Sequence, residues 1–402
     1  MKQLMNRTFS SLRVRNYRLY FFGQIISYSG TFLQALAQDW LVLKLTNSGT
    51  MLGLVLAFQY GPTLIFGPYG GLIADRLPKY KFLFLTQGLF ALEALILGIL
   101  VLTDRVEMWM VFVCAFIFGL ISCFDTPTRQ SFVPELVQKD EIRNALSLWA
   151  LLISVCKIVG PAIAGALILW VGIGYCFVIN AVSYIPVFIG LLAMRTKELR
   201  ITPPAIKAKQ QIRESFRYVV KNPTLFIPIM MVIVIGTFTF EWQASLPLFA
   251  KFVLNGDAGT YSILASALGV GMLFGGLFNA AFGKSNLRSI VWLALLCGIS
   301  ATVTAFADSL LTACVGLFFV GVFYLTYAST SNSTLQIESD PTMRGRVIAF
   351  STMATQGSTA IGGPLIGWIS EMLNPRWGIA VGGVAAILAS LYGFSQMWIR
   401  RK

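Results

Sequence analysis

The residues of this chain that can do chemistry are few, and most of them are acids. Among its 402 residues there is no histidine, which removes the commonest general base, metal ligand and proton shuttle together. Six cysteines, Cys114, Cys123, Cys156, Cys176, Cys297 and Cys314, stand at no metal-ligand spacing, so neither a metal site nor a disulfide is expected. There is no Gly-x-x-x-x-Gly-Lys-Ser/Thr loop and no Gly-x-Ser-x-Gly elbow. Direct use of ATP and nucleophilic catalysis therefore lack their usual motifs, no cofactor is expected, and an enzyme is not expected. What remains is a set of ionisable side chains inside long apolar runs: Asp39, Glu93, Lys157 and Glu241. In a bilayer each costs roughly 2.5 to 3.5 kcal/mol when unpaired, so each needs a partner, a proton or water. Reversible protonation of a carboxylate is the chemistry this inventory leaves.

The elements that position these residues are membrane spans. Hydrophobic residues make up 56% of the chain and charged ones 12%, about half the charged share of a soluble domain. The apolar runs predict about 12 transmembrane helices, near 17–45, 49–73, 82–103, 107–125, 143–172, 173–194, 223–254, 260–283, 288–307, 309–332, 345–373 and 376–399. With that threading, 26 of the 31 basic residues fall on the side of the termini, against Lys44, Arg105, Lys251 and Arg376 on the other. This asymmetry predicts cytoplasmic termini in a multi-pass protein of the plasma membrane, of the bacterial inner-membrane type. The net charge of +14 is spread over short loops, so a nucleic-acid partner is not expected. The N-terminal run, with Ala35-Leu36-Ala37 near its end, is broken by Gln24, Ser27, Ser29 and Gln34 and reads as a span, not a cleaved signal.

The chain repeats. Asp39-Trp40 and Glu241-Trp242 lie 202 residues apart, Gly160-Pro161 and Gly363-Pro364 lie 203 apart, and Gly70-Gly71 and Gly275-Gly276 lie 205 apart. Two six-helix pseudo-repeat bundles follow, 1–194 and 222–402, in an all-α integral membrane architecture. Between them 195–221 carries eight basic residues and Pro203-Pro204, and the spacing of Ile212, Phe216, Val219 and Val220 predicts an amphipathic helix on the cytoplasmic membrane surface. Small-residue pairs Gly67/Gly71, Gly271/Gly275, Gly363/Gly367 and Gly378/Gly382 permit close helix approach.

Two motifs carry a family resemblance. The turn Gly71-Leu72-Ile73-Ala74-Asp75-Arg76-Leu77-Pro78-Lys79-Tyr80-Lys81 resembles the loop between helices 2 and 3 of the major facilitator superfamily. The run Phe124-Asp125-Thr126-Pro127-Thr128-Arg129-Gln130-Ser131-Phe132-Val133-Pro134-Glu135-Leu136-Val137, followed by Asn144-Ala145 and Gly160-Pro161-Ala162-Ile163-Ala164-Gly165, is similar to its multidrug and siderophore exporter branch, the enterobactin-exporter-like and macrolide-efflux-like proteins. The resemblance implies a major facilitator fold with a cavity lined by helices 1 and 7, where Asp39 and Glu241 would lie. It also implies a conformational lock of Gly71, Asp75, Arg76 and Lys79, with Asp75 capping helix 11 and pairing with Arg129. A helix-kink motif at Gly160, Pro161 and Gly165 is repeated in shortened form at Gly363 and Pro364.

These readings predict a secondary transporter that exports amphipathic small molecules by alternating access, as a monomer in the lipid bilayer, driven by protons exchanging at Asp39 or Glu241. A position for one or both acids at the outer end of the helix, in headgroup water, is the alternative. Glu93 reads equally as a buried structural acid, and Lys157 either neutralises Asp39 or Glu93 or attracts an anionic substrate. A lysophospholipid or other lipid translocator, or a solute uptake symporter, is the rival function.

Overall fold

Apolar runs too long to leave a backbone unsatisfied in lipid fold as helices, and the computed structural model, which describes residues 9–74, 77–200, 217–283, 285–340 and 343–399, contains helices and no strand among them. In chain order they are α1 (Arg15–Thr46), α2 (Gly49–Ala74), α3 (Lys79–Leu102), α4 (Met108–Phe132), α5 (Ile142–Trp170), α6 (Ile173–Ser183), α7 (Ile185–Leu192), α8 (Pro223–Phe238), α9 (Trp242–Leu248), α10 (Ala258–Phe282), α11 (Leu287–Ala305), α12 (Leu310–Glu338), α13 (Arg344–Met372) and α14 (Pro375–Ile399). Ten segments of the described residues are long and apolar enough to cross a membrane, α6 with α7 and α8 with α9 each counting as one. Helices α1 and α13 are long enough but more polar: α1 carries Gln24, Gln34, Gln38 and Asp39, and α13 carries Arg344, Arg346 and Gln356. The outward faces are apolar, with Leu85, Leu92 and Ile99 on α3 and Ile263, Phe274 and Leu277 on α10 exposed. That is the surface lipid requires.

Local chemistry sets where helices start and stop. Asp257 accepts a hydrogen bond from the Thr260 amide at 2.9 Å at the head of α10, and Ser309 accepts from the Thr312 amide at 3.2 Å at the head of α12, each closed into a capping box. Between α5 and α6 the chain passes through Gly172 at φ +90°, a left-handed turn that a side chain would oppose. Pro161 and Pro364 sit inside α5 and α13, and both helices run on through them.

The chain divides into two compact units, 1–38 with 65–206 and 39–64 with 207–402. The first packs around Tyr17, Tyr20, Phe132, Leu148 and Trp149, with Tyr20 and Trp149 stacked at 5.5 Å. In the second, the end of α1 and the start of α2 join α8 to α14. There Gly53 and Gly49 of α2 meet the backbone of α13 at Gly363 and Gly367, so two four-residue glycine pairs face each other. Gly271 and Gly275 of α10 lie equally close to the backbone of α12 at Phe318 and Val322. Val219 also packs in this unit, against Leu225, Ile229, Leu335 and Val347. The amphipathic helix expected over 195–221 lies largely outside the described residues, which resume at 217.

Candidate functional site

Both acids of the sequence repeat lie in the second unit. Asp39 stands seven residues before the end of α1, about 10 Å along the axis, and is only 3% exposed. Its Oδ2 accepts a hydrogen bond from the Tyr261 hydroxyl of α10 at 2.8 Å, and Trp40 lies over the Tyr261 ring at 6.5 Å. Protein, not headgroup water, surrounds this carboxylate. Glu241 occupies the break between α8 and α9, where residues 239–241 leave the helix. Two glycines make room for that break: Gly382 of α14 sits against the Phe238 carbonyl, and Gly362 of α13 against the Thr237 carbonyl and the Glu241 side chain. The Thr239 hydroxyl donates to the Gly382 carbonyl at 2.6 Å and pins the turn. Glu241 is 2% exposed. Its carboxylate lies beside Thr359, yet neither oxygen meets a donor in hydrogen-bonding geometry among the described residues.

No described cation neutralises either acid. Tyr60 of α2 stands within electrostatic reach of both and donates to Gln243 at 3.3 Å. Of the two hydroxyls, that of Tyr261 bonds Asp39 and that of Tyr60 bonds Gln243, and each is able to donate or accept. At the other end of the α1 and α2 segment, Glu371 accepts from the Ser48 hydroxyl at 2.7 Å and the Thr50 amide at 2.8 Å, and Lys251 donates to Asn47 at 2.6 Å. The carboxylate at the start of α2 complements the helix dipole.

The remaining candidates lie in the first unit. Glu93 of α3 accepts from Gln34 Nε2 at 3.0 Å, and Gln34 Oε1 in turn accepts from Asn180 at 2.7 Å. This is a buried chain of amides with one Glu93 oxygen left over. Lys157 of α5 is half-buried and has no hydrogen-bond or ion-pair partner among the described residues. Gly160 seats α5 against α1 at Phe32 and Ser29, while Pro161 and Gly165 are buried beside it.

Of the expected lock, Asp75 and Arg76 lie outside the described residues, and Gly71 is described only as part of α2. Lys79 is 9% exposed and pairs with Glu135 at 2.5 Å. Arg129 is held inside its own unit: Nε donates to Asp125 one turn earlier, Nη1 donates to Gln24, and the guanidinium lies 5.0 Å from the Tyr28 ring centre. Asp125 also accepts from Thr86 at 2.5 Å and Gln87 at 3.0 Å. Sequence reasoning passed over Asp125 as a site residue, although the i,i+4 spacing of Asp125 and Arg129 on one helix was the available signal. It also passed over Tyr60, Tyr261 and Glu371, for which the sequence offers none.

Long apolar helices with acids buried among them define a membrane-spanning helical protein. The particular family follows from comparison. The family model described as transmembrane secretion effector, MFS_3, matches residues 6–400, and the chain belongs to that family of major facilitator transporters, which are not enzymes. The chain is 22% identical over 380 residues to a staphyloferrin A transporter of Staphylococcus aureus, covering 93% of this chain and 94% of the relative. It is 23% identical to macrolide efflux protein A of Streptococcus pyogenes, covering 84% and 86%, and 21% identical to an enterobactin exporter of Salmonella typhi, covering 93% and 90%. Among solved structures, a bacterial homologue of the human lysosomal transporter Spinster, inward-facing and unoccupied, superposes with a TM-score of 0.75 at 14% identity, covering 95% of this chain and 96% of that one.

Proposed function

We propose that the protein is a proton-coupled exporter of amphipathic small molecules, with Asp39 and Glu241 as the groups that take up and release the proton. The observation that carries the reading is the Glu241 carboxylate, buried at a helix break beside Thr359, with neither oxygen in hydrogen-bonding geometry and no ion pair among the described residues. An ionised carboxylate in such a place bears a desolvation penalty of several kcal/mol, and a protonated one does not. The side chain is therefore suited to hold a proton while enclosed and to release it when its surroundings admit water. Asp39, with one tyrosine donor and no counter-charge among the described residues, shares that property.

Relatives named for export of a siderophore or a macrolide support the direction of transport. The basic residues, concentrated on the side of the termini, support cytoplasmic termini in a plasma-membrane protein. The parallel sequence repeat supports two bundles, 1–194 and 222–402, joined by the linker 195–221 and alternating access between them. The protein acts as a monomer. Glu93, tied into the amide chain of the first unit, has a secondary role, and Gly71, Asp75, Arg76, Lys79 and Arg129 set the balance between inward and outward states. The kinks at Gly160, Pro161, Gly165, Gly363 and Pro364 shape the helices that move.

The test is uphill accumulation of a compound panel in everted membrane vesicles energised by a proton gradient. The wild type is expected to accumulate a subset of amphipathic compounds, and Asp39→Asn with Glu241→Gln is expected to abolish accumulation while downhill exchange of the same compounds persists. Full uphill transport by the double variant refutes the assignment. Accumulation that occurs only in right-side-out cells replaces export by uptake.

A further inference from the structure

One ionisable group of the first unit has no part in the movement of protons. Lys157 stands near the middle of α5 (Ile142–Trp170), 15 residues after its start and 13 before its end, roughly 22 Å and 20 Å along the axis. At that depth its stem cannot carry the ammonium out to headgroup water, as lysines near helix ends do. Every other cation on a described helix lies in a first or last turn.

The same unit neutralises its two fully buried cations from within. Lys79 has Glu135 at 2.5 Å, and Arg129 has Asp125 and Gln24. Lys157 has no hydrogen-bond or ion-pair partner among the described residues. Its side chain is half-buried, and its ammonium, unlike the Glu241 oxygens, is not sealed from its surroundings. The stripe of α5 that carries it is apolar, with Ile153 one turn before and Pro161 one turn after. The one hydroxyl nearby, on Ser154, already donates to the Ala150 carbonyl at 3.0 Å. On the neighbouring face α5 is fixed to α1: the Cys156 thiol donates to the Ile25 carbonyl at 3.4 Å, and a Cβ on Gly160 would stand 2.5 Å from Phe32 Cβ. The helix therefore holds Lys157 in place.

We infer that Lys157 binds the oxyanion of an amphipathic cargo, a carboxylate or phosphate, with Ile153 and Pro161 against the apolar part of the same molecule. An ammonium left alone at this depth is costly. Where the chain supplies acids to Lys79 and Arg129 and none to Lys157, the missing counter-charge comes from outside the chain. An ammonium offers three donors and no acceptor, so an oxyanion gains both charge and hydrogen bonds there, and a cation or a neutral donor gains neither. The proposal rests on the transport reading only in taking the bound anion for cargo.

The test is equilibrium binding to protein in phosphatidylcholine nanodiscs with no gradient imposed, with the signal of empty nanodiscs subtracted to remove partition into lipid. The soluble pair is naphthaleneacetic acid and its primary amide, which share one aromatic body and differ in charge. The lipid pair is lysophosphatidylglycerol and lysophosphatidylcholine. At least one anion is expected to bind about 10- to 100-fold more tightly than its uncharged or zwitterionic partner. Lys157→Gln is expected to remove that preference without lowering the unfolding temperature, because it removes a charge that the folded protein leaves unpaired, and Lys157→Arg is expected to keep it. A preference within the acid and amide pair supports a soluble organic anion as cargo, and a preference confined to the lipid pair supports an anionic lipid. No preference in either pair, as a neutral amine at Lys157 would give, or a preference that survives Lys157→Gln overturns the proposal. Loss of proton coupling in Asp39→Asn leaves this result standing, and failure of anion binding leaves proton coupling standing.

Discussion

Replacing Asp125 by Asn tests whether the first unit is built around a buried charge. Asp125 and Arg129 are 3% and 6% exposed, and the carboxylate collects the Arg129 guanidinium, the Thr86 hydroxyl and the Gln87 amide. Asn keeps the shape and one acceptor oxygen but removes the charge, leaving Arg129 with the Gln24 carbonyl and the Tyr28 ring. Breaking one partner of a buried pair costs about 3 to 5 kcal/mol, because the other charge is left uncompensated. A cation over an aromatic face returns about 0.5 to 2 kcal/mol, present before and after. The expected loss is therefore about 3 kcal/mol, readable as an earlier midpoint in detergent titration or thermal unfolding of the purified protein. The partner variant sharpens the test. Asp125→Asn combined with Arg129→Met removes both charges, and the pair is expected to recover at least half of the loss, a coupling of about 1 to 3 kcal/mol. Unfolding of Asp125→Asn within about 0.5 kcal/mol of wild type, or simple additivity in the double variant, would refute the reasoning.

Two further perturbations probe the second unit. A Cβ on Gly53 would stand 2.5 Å from Gly363 C and Pro364 Cα, so Gly53→Val must push α2 from α13 at a cost of about 1 to 3 kcal/mol; alkylation of a cysteine placed at Ser48 should rise about 5- to 150-fold, and unchanged labelling would rule the contact unimportant. Asp257→Ala removes the cap of α10, worth about 0.5 to 2 kcal/mol. Hydrogen bonds from the Thr260 amide hold the Asp257 carboxyl below the usual aspartate range. Its contribution is therefore full above ~3.9 and is lost as pH falls through the lower folded value. The stability difference between Asp257→Ala and wild type should be present at pH 7 and shrink in strong acid, and a difference that grows on acidification contradicts the cap.

What the sequence made legible follows from what a bilayer enforces. Apolar runs long enough to span, glycine pairs such as Gly271/Gly275, and the scarcity of charge inside the runs are local properties, and they gave the helices and the acids Asp39, Glu93 and Glu241. Partners are not local. Asp39 meets Tyr261 more than two hundred positions away, and Gln34, a break in apolarity by sequence, is the donor that holds Glu93. The break at 239–241 was invisible because Thr239-Phe240-Glu241 contains no Gly or Pro; the glycines that permit it, Gly362 and Gly382, are on other helices. Half of the α2 and α13 contact was readable as Gly363/Gly367, and its complement Gly49/Gly53 became meaningful only when the two helices were seen to cross. Lys79 and Arg129 read as members of a loop-level lock whose acid, Asp75, lies outside the described residues, and the acids that engage them, Glu135 and Asp125, are ones the sequence did not single out as partners. Short charged motifs specify residue types, and folding decides which neighbour takes the charge.

The central claim is that protons move through Asp39 and Glu241 as cargo moves. It is tested most directly in proteoliposomes that enclose a pH-sensitive dye, by recording proton flux when a transported compound is added with no gradient imposed. The account predicts a compound-dependent proton flux opposite in direction to the compound, which disappears in Asp39→Asn with Glu241→Gln while downhill compound flux continues. Proton flux of wild-type size in that double variant, or compound transport with no proton flux in the wild type, would contradict it.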